Sequence, residues 1–204
     1  PRRPRRKSLT PLRPWDLLPQ PSQPQEPASP PETPALPFGD VAETAWYAEA
    51  VTLAYEKGLM SGVSSDTFAP DRDTTRGMIV TILARMDGVD TSGGQTWFET
   101  GRAWAIENGI SDGTDMPGNI TREQLALMLF RYAAHKGWAA SARAALDAYA
   151  DGSSISVWAA DAMSWAVAAG LIQGRGGNML APQGKASRAE TAAILTRFLQ
   201  AFSL

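Results

Sequence analysis

The sequence has no cysteine and a single histidine, His135. Disulfides, thiolate metal sites and cysteine catalysis are therefore excluded. A histidine-paired nucleophile or a multi-histidine metal site cannot be assembled either. We expect no enzyme activity and no cofactor. Apolar runs long enough for a signal peptide or a membrane span are also missing, so no membrane partner is expected. The chain starts at Pro1 without an initiator Met, and we expect a piece of a longer protein with a cargo domain upstream. Proline is scarce after the first segment: 12 of the 15 prolines lie in residues 1–37, the others being Pro70, Pro117 and Pro182. So many missing backbone donors cannot support a core, so residues 1–37 read as a linker or tail. Within it, only Trp15-Asp16-Leu17-Leu18 is apolar enough to dock.

Hydrophobic residues make up 44% of the whole chain, sufficient for a buried core. Charge divides at the same boundary. Residues 1–37 carry six basic and three acidic side chains, which leaves 13 basic and 18 acidic ones in 38–204. An acidic globular part argues against a nucleic-acid-coating module. The basic run Arg2–Lys7 reads as a solvated tail.

A long-period repeat organises residues 38–204. Trp46, Trp97 and Trp158 each stand 12 residues before a glycine (Gly58, Gly109, Gly170), and Leu59, Ile110 or Leu171 follows. Eight residues after each Trp is an alanine (Ala54, Ala105, Ala166). The spacing predicts a helix whose one face carries the Trp and the apolar positions, ended by a left-handed glycine. A second helix opens at Thr75-Arg76, Thr121-Arg122 and Ser187-Arg188, where the hydroxyl residue is a good N-cap. Units two and three have a capping-box acceptor three residues after the cap, and unit one has Met78 there. Nine residues after each of these arginines stands another: Arg85, Arg131 and Arg197. The segment from Gly to Arg spans 18 residues in units one and three (Gly58–Arg76, Gly170–Arg188) and 13 in unit two (Gly109–Arg122). Helix-loop-helix units of this size cannot bury their apolar stripes alone, so neighbours must stack. We assign residues 38–88, 89–146 and 147–204 to three units.

This pattern resembles the S-layer homology repeat. Phe38-Gly39-Asp40, Trp46, Gly58-Leu59, Phe68-Ala69-Pro70 and Thr75-Arg76 fit its first copy. Tyr149-Ala150-Asp151, Trp158, Gly170-Leu171, Leu180-Ala181-Pro182 and Ser187-Arg188-Ala189-Glu190 fit its third. The second copy is degenerate: no Phe-x-Asp precedes Trp97 and its loop is trimmed. The resemblance implies a mainly α fold of three helix-loop-helix repeats in pseudo-threefold arrangement, with a central helical bundle. It further implies non-covalent anchoring at the cell surface by binding a secondary cell-wall polysaccharide on peptidoglycan, often through a pyruvate ketal. The ligand-binding arginine of the family then maps to Arg76, Arg122 and Arg188.

A guanidinium suits a planar carboxylate through two parallel charge-assisted hydrogen bonds. Free amides at the helix start would add to the attraction. The competing view makes these arginines ion pairs to a neighbouring repeat. Secondary ligand candidates are Trp46 and Trp158, with Gly62 and Gly174. All three repeat tryptophans are read chiefly as core, with sugar stacking on one exposed edge as the second option. Arg85, Arg131 and Arg197 read as covering apolar surface and pairing with carboxylates. Asp40 and Asp151 read as caps of the first helix or of the turn before it. Asp71 and Asp73 are turn formers and too few for calcium. Trp104, Trp138 and Trp165 lie outside the repeated position. Any groove that needs the trimmed loop of unit two should be smaller or inactive. The alternative function is a helical-repeat module that presents a groove to another surface protein.

Overall fold

The computed structural model describes residues 36–138 and 140–202. The expectations for the proline-rich segment and for docking of Trp15-Asp16-Leu17-Leu18 fall outside them. Six helices follow in order: α1 Ala48–Glu56, α2 Arg76–Met86, α3 Glu99–Glu107, α4 Arg122–His135, α5 Ala160–Ala168 and α6 Arg188–Ala201, with 3-10 turns at Gly152–Ser154 and Val157–Ala159. Only isolated β-bridges accompany them among the described residues, and no helix there is long and apolar enough to cross a membrane.

The helix ends follow the local signals. Thr75 Oγ1 accepts the Met78 amide, and Thr121 with Gln124 and Ser187 with Glu190 form reciprocal capping boxes. Gly58, Gly109 and Gly170 take φ of 66°, 67° and 70°, a left-handed region that glycine enters at no steric cost. In each first helix the +8 alanine carbonyl then accepts two amides from beyond the glycine: Leu59 and Met60 on Ala54, Ile110 and Ser111 on Ala105, Leu171 and Ile172 on Ala166. These alanines are fully buried.

Nine-residue helices such as α1, α3 and α5 are marginal alone, and packing holds them. The tightest packing joins each second helix to the first helix of the next unit: α2 to α3, α4 to α5, and α6 back to α1. Gly101 permits the α2–α3 approach, since a Cβ there would lie 2.8 Å from the Thr81 Cα. The α4 and α6 helices also meet, with the Tyr132 and Phe198 rings 5.9 Å apart, and the hydroxyl of Thr74, just before α2, is bonded to that of Thr191 in α6 at 2.9 Å in the interior. The aromatic end of this core contains Trp165, and Trp138 stacks on Phe202 at 4.7 Å.

Backbone hydrogen bonds close the same ring. Thr74 donates to Ala186, Ala186 to Ile120, and Ile120 to Thr74. The first amides of each second helix are spent the same way. Arg76 and Gly77 donate to Gly118 and Met116, Arg122 and Glu123 to Gly184 and Pro182, and Arg188 and Ala189 to Arg72 and Pro70. The helix starts are therefore joints between units, and these amides are not open to an anion as the sequence had suggested.

Candidate functional site

The arginine that opens each second helix points into the loop of the next unit. Arg188 donates from Nε to the Phe68 carbonyl at 2.7 Å and from Nη2 to that of Ser61 at 2.6 Å, with its guanidinium 4.4 Å from the Phe68 ring centre. Arg122 makes the matching pair to Leu180 and Gln173, at 2.8 and 2.6 Å. Arg76 reaches the trimmed loop, donating to the Thr114 carbonyl at 3.0 Å and to Asp112 at 2.7 Å. Arg122 and Arg188 are 3% and 4% exposed. Arg188 is thus no exposed first-turn side chain: it is buried across the ring seam. Burial first, then the neighbouring charge of Arg72, depresses the Arg188 pKa, and Asp40 opposes this in part. Burial likewise leads the depression of Arg122.

Beside each arginine runs a groove. The Arg188 groove, about 640 Å³, is lined by Gly62, Arg72, Met78, Arg85 and Trp97. Arg76 lines a groove of about 320 Å³ with Asp112, Gln124, Arg131 and Trp158. Arg122 lines one of about 280 Å³ with Gly174, Arg175, Glu190, Arg197 and Trp46. Each thus combines the opening arginine of one unit, the later arginine of the next, and the tryptophan of the unit after that. The groove using the trimmed loop is smaller than the Arg188 groove but not than the Arg122 groove, so loop length alone does not set groove size.

The three tryptophans are not core. Trp46, Trp97 and Trp158 are 67%, 55% and 53% exposed, because each stands two residues before its α-helix and off the buried stripe. An exposed indole beside arginines is a platform for the apolar face of a sugar. Gly62 borders the Arg188 groove and Gly174 the Arg122 groove; a side chain at Gly62 would run into the Ser64 carbonyl and the Phe38 ring.

The later arginines have carbonyl or hydroxyl partners instead of carboxylates. Arg131 donates to Ile110 and Arg197 to Leu171, while Arg85 turns to the Thr91 hydroxyl at 2.9 Å. Their regular spacing marked them, but their place in the grooves had no local signal, nor had that of Arg72 and Arg175. Asp40 and Asp151 do not cap the first helix. Asp40 accepts the Phe68 and Ala69 amides at 2.8 and 2.7 Å, and Asp151 those of Leu180 and Ala181 at 2.7 Å each. Each fixes a turn in which Ala69 or Ala181 takes a positive φ, 57° or 49°. Asp73 accepts from the Asn119 side chain. Asp87 joins His135, Lys136 and Trp104, none of which lines these grooves.

A family model described as the S-layer homology domain matches residues 37–77 and 148–192. The chain belongs to the S-layer homology family. The S-layer homology module here is 30% identical over 177 residues to an endoglucanase of Bacillus sp. (strain KSM-635), an alignment covering 81% of this chain and 19% of that protein. It is 30% identical over 112 residues to the surface-layer 125 kDa protein of Lysinibacillus sphaericus, covering 46% and 10%. With cell surface glycoprotein 1 of Acetivibrio thermocellus it shares 26% over 126 residues, covering 50% and 5%. The chain therefore spans less than a fifth of each relative's length. The middle unit lies outside both matched stretches, yet it has the same helix-loop-helix form and supplies one joint of the ring.

Proposed function

We propose that this module is a non-catalytic anchor that holds a larger protein on the bacterial cell surface by binding a secondary cell-wall polysaccharide, with a pyruvate ketal as the group its arginines recognise. The three units and the residue boundaries assigned to them are part of that reading, as are Arg76, Arg122 and Arg188 as ligand contacts. The observation that carries it is the recurrence, at every junction, of a groove holding at least two arginines beside an exposed tryptophan. Arginines supply forked donors for carboxylates, and an indole face supplies a surface for the C–H side of a sugar ring. The surface-layer and cell-surface relatives are consistent with an extracellular place at the wall. An upstream cargo domain fits relatives in which the aligned part is a small fraction of the whole. A helical repeat that seats an amphipathic peptide uses an apolar groove, and these grooves are studded with charge.

The test is co-sedimentation of the chain with purified cell walls, before and after the secondary polymer is chemically stripped from the peptidoglycan. The chain should pellet with intact walls and stay in solution with stripped ones. Full binding to stripped walls overturns the reading in favour of peptidoglycan or protein.

A further inference from the structure

We infer that the three grooves are not equivalent, and that the Arg188 groove is the one that takes a carboxylate-bearing sugar, because its buried guanidinium has an Nη1 facing a sulfur where the Arg122 groove offers a carboxylate. This assignment rests on the reading of the grooves as glycan sites.

At the two buried joints the arginine spends Nε and Nη2 on the next unit's carbonyls. What Nη1 meets is set by the residue three positions after the helix cap of the next unit. In the Arg122 groove that residue is Glu190, whose Oε1 lies 3.5 Å from Arg122 Nη1. Glu190 is held there by Arg175, which donates to both its oxygens, and by the Ser187 amide of the capping box. Burial opposes ionisation of Glu190, but those hydrogen bonds and the charges of Arg175 and Arg122 outweigh it, so its pKa stays below the usual value. The anion position is already filled from within.

In the Arg188 groove the corresponding residue is Met78, with Sδ 3.9 Å from Arg188 Nη1. A thioether is a weak neutral acceptor. Arg72 and Arg85 line the same groove, and no carboxylate does. The acid that influences Arg188 is Asp40, and both its oxygens are committed to the Phe68 and Ala69 amides. In the Arg76 groove Asp112 sits 2.7 Å from Arg76 Nη2. Lining charges therefore differ: three arginines and no acid in the Arg188 groove; three arginines and Glu190 in the Arg122 groove; two arginines and Asp112 in the Arg76 groove. A ligand carboxylate must displace an internal one in two grooves and none in the third, which is also the most capacious.

Each groove carries its own tryptophan, so each can be followed separately. The full chain, labelled with 5-fluorotryptophan and assigned by single Trp→Phe variants, is titrated with a methyl glycoside bearing a pyruvate ketal, and with its neutral methyl ester. The Trp97 resonance should shift at concentrations at least tenfold below those moving Trp46 or Trp158, and the ester should leave it in place. A shift of Trp46 or Trp158 at equal or lower concentration overturns the assignment, as does an equal response to the ester.

Two substitutions exchange the grooves without removing a cap. Met78→Glu completes the capping box of α2 and presents a carboxylate to Arg188; the Trp97 response should weaken at least tenfold with no fall in melting temperature. Glu190→Gln keeps a box residue of the kind α4 uses, and should bring Trp46 into response at lower concentration. Unchanged titrations in both variants overturn the inference. Wall co-sedimentation of the same samples separates the two proposals. Chain that still pellets only with polymer-bearing walls, while Trp97 is silent, refutes the groove assignment and leaves anchoring standing.

Discussion

In the first and third units the segment between the helices is long, and two anchors hold it. Asp40 or Asp151 grips two loop amides from inside the unit, and Arg188 or Arg122 grips two loop carbonyls from the unit before. In the second unit the segment is five residues shorter, no aspartate of that kind precedes it, and Arg76 holds it partly through Asp112, whose side chain is 65% exposed. The contrast shows what the repeated arginine does for the fold. Where the loop is long and buried, the guanidinium is a structural clamp on two carbonyls; where the loop is short, it keeps one carbonyl and pairs with an aspartate that faces solvent.

That contrast orders the effects of substitution. Arg188→Ala and Arg122→Ala should cost most, about 3 kcal/mol each, since two hydrogen bonds from a charged donor are lost in a buried setting and two carbonyls are orphaned. Urea unfolding checks this, and a loss below about 1 kcal/mol would make the clamp irrelevant to stability. Lys should recover only part, because it lacks the planar fork. Asp151→Ala comes next, at about 2 kcal/mol from two amides losing a charged acceptor, with Asn recovering part by accepting one of them. Arg76→Ala should cost less than about 1 kcal/mol, as expected of an ion pair with an exposed partner. If Arg76→Ala destabilises as much as Arg188→Ala, the distinction between a clamp on two carbonyls and a pair with an exposed aspartate collapses.

The smallest effect concerns pH. The folded pKa of Glu190 lies below its ordinary value of 4.5. Its contribution is therefore present in full above that value and is lost as pH falls through the lowered folded pKa. Stability should decline on acidification below about pH 4.5, and Glu190→Gln should make the decline shallower without removing it. Asp87, lowered by Lys136, His135 and Trp104 against the cost of burial, supplies a second part of the same acid limb. Melting curves between neutral and acidic pH check both statements; a steeper decline in the Gln variant would reverse the sign assigned to Glu190.

Much of the fold is legible in the sequence because it is local. Helix starts at Thr75, Thr121 and Ser187 and ends at Gly58, Gly109 and Gly170 depend on hydroxyl caps and left-handed glycines, signals carried within a few residues. The site is less legible because it forms across the ring. Arg188 meets the Phe68 carbonyl from 120 positions away, and nothing near Ser187 announces that this side chain will be buried. The tryptophans misled for a related reason. Their spacing to Gly is regular, but the helix begins two residues later, so periodicity placed on the core stripe a side chain that projects into a groove. Asp40 and Asp151 sit where a cap would sit, yet they serve a loop nearly 30 residues on.

The central claim is that an acidic sugar on the wall polymer is what the module holds, and its most direct test is the affinity of the full chain for walls with and without the pyruvate ketal, the polysaccharide being otherwise intact. Removing the ketal should weaken binding at least tenfold, as loss of a charge-assisted carboxylate contact to a buried arginine requires. Equal affinity for the two preparations would contradict the account.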